Sequence, residues 1–182
     1  MVDWLVSQGI EGASVLEIGG GVGEIQIELL RHGASHATNL ELSPSYDELA
    51  AALAGEAGVA DRTVRRIGDI AADSAVPELA DVADVVVMHR VICCYPDADR
   101  LLGAAADHAS RMVVLSHPPG HLAARAVAAL ENVALRVMGR EYRAFAHRPE
   151  DLLATLRDHG FRAQHLHRGL AWHVIVATRE SP

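Results

Sequence analysis

The stretch that most constrains this chain is Val15–Glu24, where a short apolar strand runs directly into a cluster of glycines. The apolar spacing from Val22 to Leu30 then fits a helix. Glycines permit tight turns and let a ligand approach the backbone, while the start of the following helix offers free N–H groups. This order of strand, glycine loop and helix predicts a site for a nucleotide-like ligand.

Strand and helix patterns alternate along the rest of the chain, which indicates an α/β fold. The unbroken apolar run at Asp84–Met88 predicts a strand at the centre of the sheet, buried on both faces. The predicted strands are Ser14–Ile18, Ala37–Glu41, Thr63–Ile67, Asp84–Met88, Met112–Ser116, Arg162–His167 and Trp172–Thr178. The predicted helices are Val2–Gln8, Glu24–Arg31, Pro44–Ala54, a short one near Val76–Ala80, Asp97–His108, Leu122–Met138, and a last one from about His147 to His159.

We therefore expect a doubly wound, Rossmann-like sheet of seven strands, mostly parallel with an antiparallel C-terminal strand and with helices on both faces. No linker or repeat divides the sequence, so residues 1–182 are expected to form a single domain.

Composition and charge exclude several classes of partner. A net charge of -8 argues against binding to nucleic acid or to an anionic membrane, because both partners are themselves negative. The two cysteines, Cys93 and Cys94, are adjacent and cannot form an ordinary structural disulfide. No apolar run is long enough to span a bilayer. These features predict a cytoplasmic protein, either monomer or homodimer.

The spacing of the glycines helps to identify the ligand. A dinucleotide site needs glycines at the first, third and sixth positions, and counting from Gly19 the sixth position is Glu24. This departure disfavours a nicotinamide-dependent oxidoreductase. An acid, Glu17, precedes the first glycine, where it would repel a pyrophosphate but attract the ammonium group of an amino acid.

Two further acids lie at the ends of the second and third predicted strands. Glu41 is placed to accept both hydroxyls of a ribose, and Asp69 to accept from an adenine amino group. One ammonium, one ribose and one adenine together describe S-adenosylmethionine. The alternatives are a solvated Glu41 and an Asp69 that only caps the next helix.

At these residues the sequence resembles the class I S-adenosylmethionine-dependent methyltransferases. Val15–Gly23 is similar to the glycine-rich first motif of that superfamily, and Ala83–Pro96 to its fourth strand and the loop that follows. The resemblance implies the fold, methyl transfer, and S-adenosylmethionine as cofactor. The cofactor-binding residues it implies, together with the acids above, are Glu17, Gly19, Gly20, Gly21, Gly23, Glu41, Leu42, Gly68, Asp69, Ile70 and His89.

The residues that would handle the methyl acceptor lie after the fourth and fifth strands. The loop after the fourth strand lacks the Asn/Asp-Pro-Pro-Tyr/Phe tetrad typical of methylation of amino groups on DNA bases and glutamine. We expect His89, Tyr95 and His117 to be candidate catalytic groups, since methylation of a hydroxyl or acid requires removal of a proton. The candidates for substrate binding are Arg90, Tyr95, His117, Arg140 and Arg143.

Residues 120–148 are expected to form a lid, because their helix exceeds what a plain crossover requires and basic residues follow it. A solvated basic face or a dimer surface is the alternative. The leading hypothesis is O- or N-methylation of a small molecule, anionic or planar. The alternative is a regulatory domain that binds S-adenosylmethionine without turnover.

Two further expectations concern a metal and the N-terminus. His165 and His167 are predicted to share one face of a strand, with His173 across the hairpin, but no cysteine or acid is grouped with them. We therefore expect no metal. Family members usually carry extra helices before the first strand, and here only about a dozen residues precede Ser14, which predicts an open pocket or a trimmed chain.

Overall fold

The computed structural model describes residues 1–72, 79–140 and 142–179 and contains one mixed sheet of seven strands. The order is β3-β2-β1-β4-β5-β7-β6, and β1 to β5 are all parallel to one another. Strand β7 is antiparallel to both β5 and β6. The predicted fold class is confirmed.

The strands are β1 Ser14–Ile18, β2 His36–Glu41, β3 Thr63–Ile67, β4 Ala83–Met88, β5 Ala109–His117, β6 Phe161–Arg168 and β7 His173–Arg179. The helices are α1 Val2–Ser7, α2 Glu24–Arg31, α3 Asp47–Glu56, α4 Ala98–Asp107, α5 Leu122–Val137 and α6 Pro149–Asp158, and short 3-10 helices cover Pro44–Tyr46, Ala60–Arg62 and Ile92–Cys94. Most predicted bounds hold to within two residues. The short helix predicted near Val76–Ala80 falls largely on residues 73–78, which lie outside the described residues.

Two predictions about element bounds need correction. Pro44 begins a 3-10 helix and not the α-helix itself, because the Ser43 hydroxyl accepts from the Ser45 N–H and closes a tighter first turn. Strand β5 extends three residues earlier than predicted, from Ala109, because its pairing with β4 passes through an irregularity that polar residues fill.

Apolar residues cover both faces of the sheet, so the core has two halves. On one face, residues such as Val86 and Leu115 pack against α4 and α6. On the other, residues such as Val85 and Val114 pack against α1 and α2. The central position predicted for β4 is confirmed, since Val85 to Met88 are all fully buried between β1 and β5.

Helix α5 differs from the other long helices because it contains no buried residue. Its apolar side chains Val127, Leu130 and Val133 are each at least 60% exposed. It therefore does not cover the sheet as an ordinary crossover helix would. Among the described residues, no helix is long and apolar enough to cross a lipid bilayer.

Candidate functional site

A cleft of about 190 Å³ opens where the chain leaves β1, β2, β3 and β4. This is the point where the strand order reverses between β1 and β4, and open α/β sheets bind ligands at such points. The cleft is lined by Ile18, Gly19, Leu40, Glu41, Leu42, Gly68, Asp69, Ile70, Arg90, Val91, Cys94, Tyr95 and Leu101. Six residues predicted to bind the cofactor, Gly19, Glu41, Leu42, Gly68, Asp69 and Ile70, are therefore brought together here.

The glycine loop connects β1 to α2 and needs glycine for two separate reasons. Gly19 has a φ of +63°, and a Cβ at this position would lie 2.5 Å from Cγ2 of Val91. Gly23 has a φ of +85° and forms the N-cap of α2. A side chain at either position would be strained, so the loop stays thin enough for a ligand to reach its backbone.

The carboxylate of Glu41, at the end of β2, binds the glycine loop through a hydrogen bond. One of its carboxylate oxygens accepts from the N–H of Gly21 at 2.8 Å, and the other from the N–H of Leu42 at 2.8 Å. The carboxylate is thus fixed at the rim of the cleft and is not a freely solvated group. A carboxylate has about four acceptor positions, so lone pairs remain for a ligand hydroxyl.

Glu17 is buried beneath the glycine loop, with 2% of its surface exposed. It accepts a hydrogen bond from the N–H of Gln26 at 3.1 Å. Burial raises the pKa of its carboxyl group from 4.5 to about 8, and the hydrogen bond from Gln26 only partly opposes this. Glu17 is therefore largely protonated at neutral pH in the free protein.

Sequence reasoning missed the residue that braces this loop, Arg65 on β3. Its guanidinium donates to the carbonyl of Gly21 at 2.7 Å, to Oδ1 of Asn39 at 3.1 Å and to Oδ1 of Asp47 at 2.6 Å. The loop and α3 are thus tied to the sheet by one side chain. The one indication in the sequence is that an arginine occupies an inward-facing position of a predicted strand, where a charged side chain needs a partner.

Asp69 and Tyr95 meet at the far end of the cleft. The Tyr95 hydroxyl donates to Oδ2 of Asp69 at 2.9 Å. Oδ1 of Asp69 accepts from the N–H of Ala71 at 2.9 Å, a local contact within a turn. Burial raises the pKa of the Tyr95 hydroxyl, and the bond to Asp69 raises it further. Tyr95 is thus a poor proton acceptor and orients Asp69.

His89 follows β4 and contacts the end of β5. Its Nδ1 lies 3.1 Å from the hydroxyl oxygen of Ser116, which also accepts from the N–H of Arg90 at 2.9 Å. Burial lowers the pKa of His89, so the ring is neutral at physiological pH. Ser116 was another residue that sequence reasoning did not select.

Arg90 is the one non-glycine among the described residues with a positive φ, at 59°. Such a conformation is uncommon outside glycine and often marks functional loops. Its guanidinium lies 4.8 Å from the centre of the Trp172 ring, between β6 and β7. Arg90 therefore links the cleft to the closing hairpin, and Trp172 joins the site from the far end of the chain.

His117 lies apart from His89 although both follow central strands. Ser116 faces His89, so the next residue of β5 points to the opposite face of the sheet. There His117 is 1% exposed and packs beside His165 and His173. The candidate catalytic residues His89, Tyr95 and His117 thus occupy separate surroundings and form no single cluster.

A second, larger cavity of about 420 Å³, called the apolar cavity below, lies beside the cleft, under α5 and residues 142–146. Cys93, Tyr142, Phe145 and Trp172 are among its lining residues. The backbone N–H of Phe145 donates to the Cys93 carbonyl at 2.7 Å, and Asn132 of α5 exchanges two hydrogen bonds with Ala144. The segment after α5 is therefore docked on the loop that follows β4.

The structure does not bring Arg140 and Arg143 to either cavity. Arg143 donates to the backbone carbonyls of Arg140 and Tyr142, at 2.6 and 2.7 Å. Both arginines are absent from the linings of the cleft and the apolar cavity. Their predicted role in substrate binding has no support in this geometry.

Comparison with known proteins agrees with the fold and the cleft. A family model described as a methyltransferase domain matches residues 4–166. The chain therefore belongs to this methyltransferase domain family. The resemblance to class I S-adenosylmethionine-dependent methyltransferases is confirmed, and with it the enzyme class and the cofactor. No curated protein sequence matches the chain significantly.

Solved structures share the fold. Magnesium protoporphyrin IX methyltransferase from Synechocystis PCC 6803, with bound SAH, is 24% identical at a TM-score of 0.75, covering 98% of this chain and 80% of that one. An O-methyltransferase family protein from Burkholderia thailandensis is 17% identical at a TM-score of 0.79, covering 100% and 55%. An O-methyltransferase family 2 protein from Planctomyces limnophilus, in complex with apigenin, is 19% identical at a TM-score of 0.70, covering 93% and 50%.

Proposed function

We propose that this protein is a cytoplasmic methyltransferase that transfers the methyl group of S-adenosylmethionine to a small, planar acceptor. The observation that carries the proposal is the contact between the cofactor cleft and the apolar cavity. The loop after β4 contributes Arg90 and Cys94 to the cleft and Cys93 to the cavity. Donor and acceptor would thus meet across this loop.

The cleft residues fit the three parts of the cofactor. Glu41 at the rim would accept the ribose hydroxyls, and Asp69 with Ile70 would contact the adenine. The glycine loop would lie beside the amino-acid part of the cofactor, and the ammonium group of that part would give the buried Glu17 a cationic partner. Gly19 and Gly68 line the cleft, and a Cβ at either position would collide with the side chain of Val91 or Leu79.

The chemistry asks the protein mainly to align the reactants. S-adenosylmethionine supplies an activated methyl group on a sulfonium, so the acceptor must be held in line with it. His89 is held by Ser116 at the start of the loop that joins the two cavities, and it would accept the proton of a hydroxyl acceptor. Tyr95 and Asp69 would serve the cofactor, and His117 takes no part in this step.

The lining of the apolar cavity favours a planar acceptor. Phe145 and Trp172 offer ring faces, and the one acidic side chain among its described lining residues is Glu131. Residues 120–148 would act as the lid, since α5 and the docked segment cover this cavity. Apigenin and magnesium protoporphyrin IX, which the related structures name, are planar as well.

Calorimetry with S-adenosylmethionine and S-adenosylhomocysteine, followed by turnover against planar phenols, carboxylic acids and amines, tests the proposal. We expect binding of both cofactor forms and methylation of at least one planar acceptor. Heat from neither ligand in folded protein would refute the cofactor assignment. Binding without any turnover would favour the regulatory domain considered from the sequence.

A pair of neighbouring variants tests the acceptor cavity. Ala128 lines the cavity, whereas Ala129 is exposed on the same helix and is not among the lining residues. Ala128→Trp should fill the cavity and raise KM for the acceptor at least tenfold, with the Kd for S-adenosylmethionine unchanged. Ala129→Trp is the matched control. Equal effects of both substitutions on KM would contradict the location of the acceptor.

A further inference from the structure

Three histidines from three neighbouring strands meet at the end of the sheet, away from the cofactor cleft. His117 ends β5, His173 begins β7, and His165 lies on β6. One ring nitrogen of each histidine lies within 4.8 Å of the other two. The ring centres are 5.3 Å apart for His117 and His173, and 6.0 Å for each of the other two pairs.

The sheet register brings these side chains to one face. His117 is directly opposite His173, and Ile175, two residues further along β7, is directly opposite His165. His165 and His173 are therefore diagonal neighbours on the face that carries Ile175. The three rings continue the buried rows of β5, β6 and β7 beyond the apolar core.

The expectation that His167 shares a face with His165 is wrong. The register shifts between these two residues, so His165 is opposite Ile175 and His167 is opposite the adjacent Val174. Adjacent residues of a strand point to opposite faces, and the bulge thus turns His167 away. His117 of β5 is therefore the third member of the cluster with His165 and His173, and His167 is not.

Each ring of the cluster keeps one buried nitrogen without a hydrogen-bond partner, namely Nε2 of His117, Nδ1 of His165 and Nδ1 of His173. Buried polar atoms in native structures are rarely left unpaired, and three at one place indicate a shared ligand. The orientation of His117 is fixed, because its Nδ1 lies 2.8 Å from the carbonyl oxygen of Pro118.

A carbonyl can only accept, so Nδ1 of His117 carries the proton and Nε2 is left with a free lone pair. Histidines that bind metals typically donate their other ring N–H in this way. Neutral imidazole with a free nitrogen lone pair is the form that binds metal ions.

We propose that His117, His165 and His173 bind a divalent transition-metal ion, with zinc as the ion that fits best. Three imidazole ligands and one position left for water or another ligand are typical of tetrahedral zinc sites. Zn–N bonds of about 2.1 Å put tetrahedral ligands roughly 3.4 Å apart, so small side-chain rotations would complete the site.

The surroundings decide between classes of metal. His165 and His173 line a cavity of about 860 Å³ that also includes Glu150, Arg125, Arg148 and Arg168. Three of these four side chains are cationic and one is acidic. Attraction for a cation thus comes from the imidazole nitrogens and not from net negative charge, which favours zinc over magnesium or calcium.

Zinc titration of the protein, free of any histidine tag and without S-adenosylmethionine, tests the site independently of the proposed function. Calorimetry should show one zinc ion per chain, and Co²⁺ in its place should give the visible absorption of a tetrahedral complex. His165→Ala and His173→Ala should each weaken zinc binding at least a hundredfold. Both side chains are less buried than His117, so these variants should fold.

His167→Ala is the matched control, since it removes an exposed histidine of the same strand that lies outside the cluster. We expect this variant to bind zinc as the unmodified protein does, and zinc to raise the Tm of both. Zinc should leave the Tm of His165→Ala unchanged. Equal zinc affinity in all the variants, or equal losses for His165→Ala and His167→Ala, would overturn the proposal.

Discussion

Replacing Glu17 by Gln removes the buried ionisable carboxyl group beneath the glycine loop while keeping the shape of the side chain. The amide oxygen can still accept from the N–H of Gln26, as the carboxylate does at 3.1 Å. What changes is how the free energy of unfolding depends on pH. We expect Glu17→Gln to stabilise the free protein at pH 8.5 relative to the unmodified chain, by more than it does at pH 5.

The magnitude follows from the pKa of Glu17, which burial raises from 4.5 to about 8. Below pH 4.5 the carboxyl group is protonated in both the folded and the unfolded chain. Between the two pKa values only the folded chain holds the proton, so stability falls as pH rises, and above about pH 8 the loss is complete. At 1.36 kcal/mol per pKa unit the full effect is about 5 kcal/mol.

Urea unfolding of both proteins at pH 5 and pH 8.5 measures the effect. The stability advantage of Glu17→Gln should grow by roughly 2 to 4 kcal/mol between pH 5 and pH 8.5, and the lower figure allows for relaxation around the buried charge. Costs of placing an amide in the core do not vary with pH and cancel in the comparison.

Glu24→Gln is the control for this experiment, because it removes the same charge from an exposed position beside the glycine loop. It should show no comparable growth with pH. An advantage of Glu17→Gln that is the same at pH 5 and pH 8.5 would refute the reasoning, because it would mean that Glu17 is ionised in the folded protein throughout.

Three further outcomes test the cofactor cleft. Glu41→Ala should weaken S-adenosylmethionine binding in calorimetry by roughly 1 to 3 kcal/mol, as expected for hydrogen bonds to a charged group, and unchanged affinity would exclude the ribose contact. Arg65→Lys should weaken S-adenosylmethionine binding roughly tenfold although Arg65 does not line the cleft, because a lysine cannot reproduce the several hydrogen bonds that the guanidinium makes to Gly21 and its neighbours. Unchanged affinity would show that the glycine loop does not depend on these hydrogen bonds. A hydrogen bond from Cys93 lowers the pKa of the Cys94 thiol to about 6, so Cys94, exposed in the cleft, should react readily with iodoacetamide, and saturating S-adenosylmethionine should protect it. Equal labelling with and without the cofactor would contradict that position.

The fold was largely predictable because its signals are local. The apolar run of β4 and the glycines before α2 are contiguous in the chain and depend little on distant partners. The start of β5 at Ala109 was missed because pairing with β4, and not side-chain pattern, extends it there. The bulge that separates His165 from His167 likewise depends on the partner strand.

The site was predictable where successive strand ends meet and unpredictable where distant elements meet. Glu41 and Asp69 follow neighbouring parallel strands, so their place at one edge follows from topology. Nothing in the sequence near Arg65 shows that it reaches Gly21, and nothing near Trp172 shows that it stacks on Arg90. The roles predicted for Arg140 and Arg143 had no such topological basis.

The sequence by itself determined the donor side of this protein. The glycine loop with its early acid, and two further acids after successive strands, define a cleft for S-adenosylmethionine because each lies beside its own strand end. Only the tertiary structure decided how the histidines are distributed. Side chains on adjacent positions of β5 face opposite ways, so Ser116 contacts His89 on one face of the sheet, whereas His117 joins His165 and His173 on the other face.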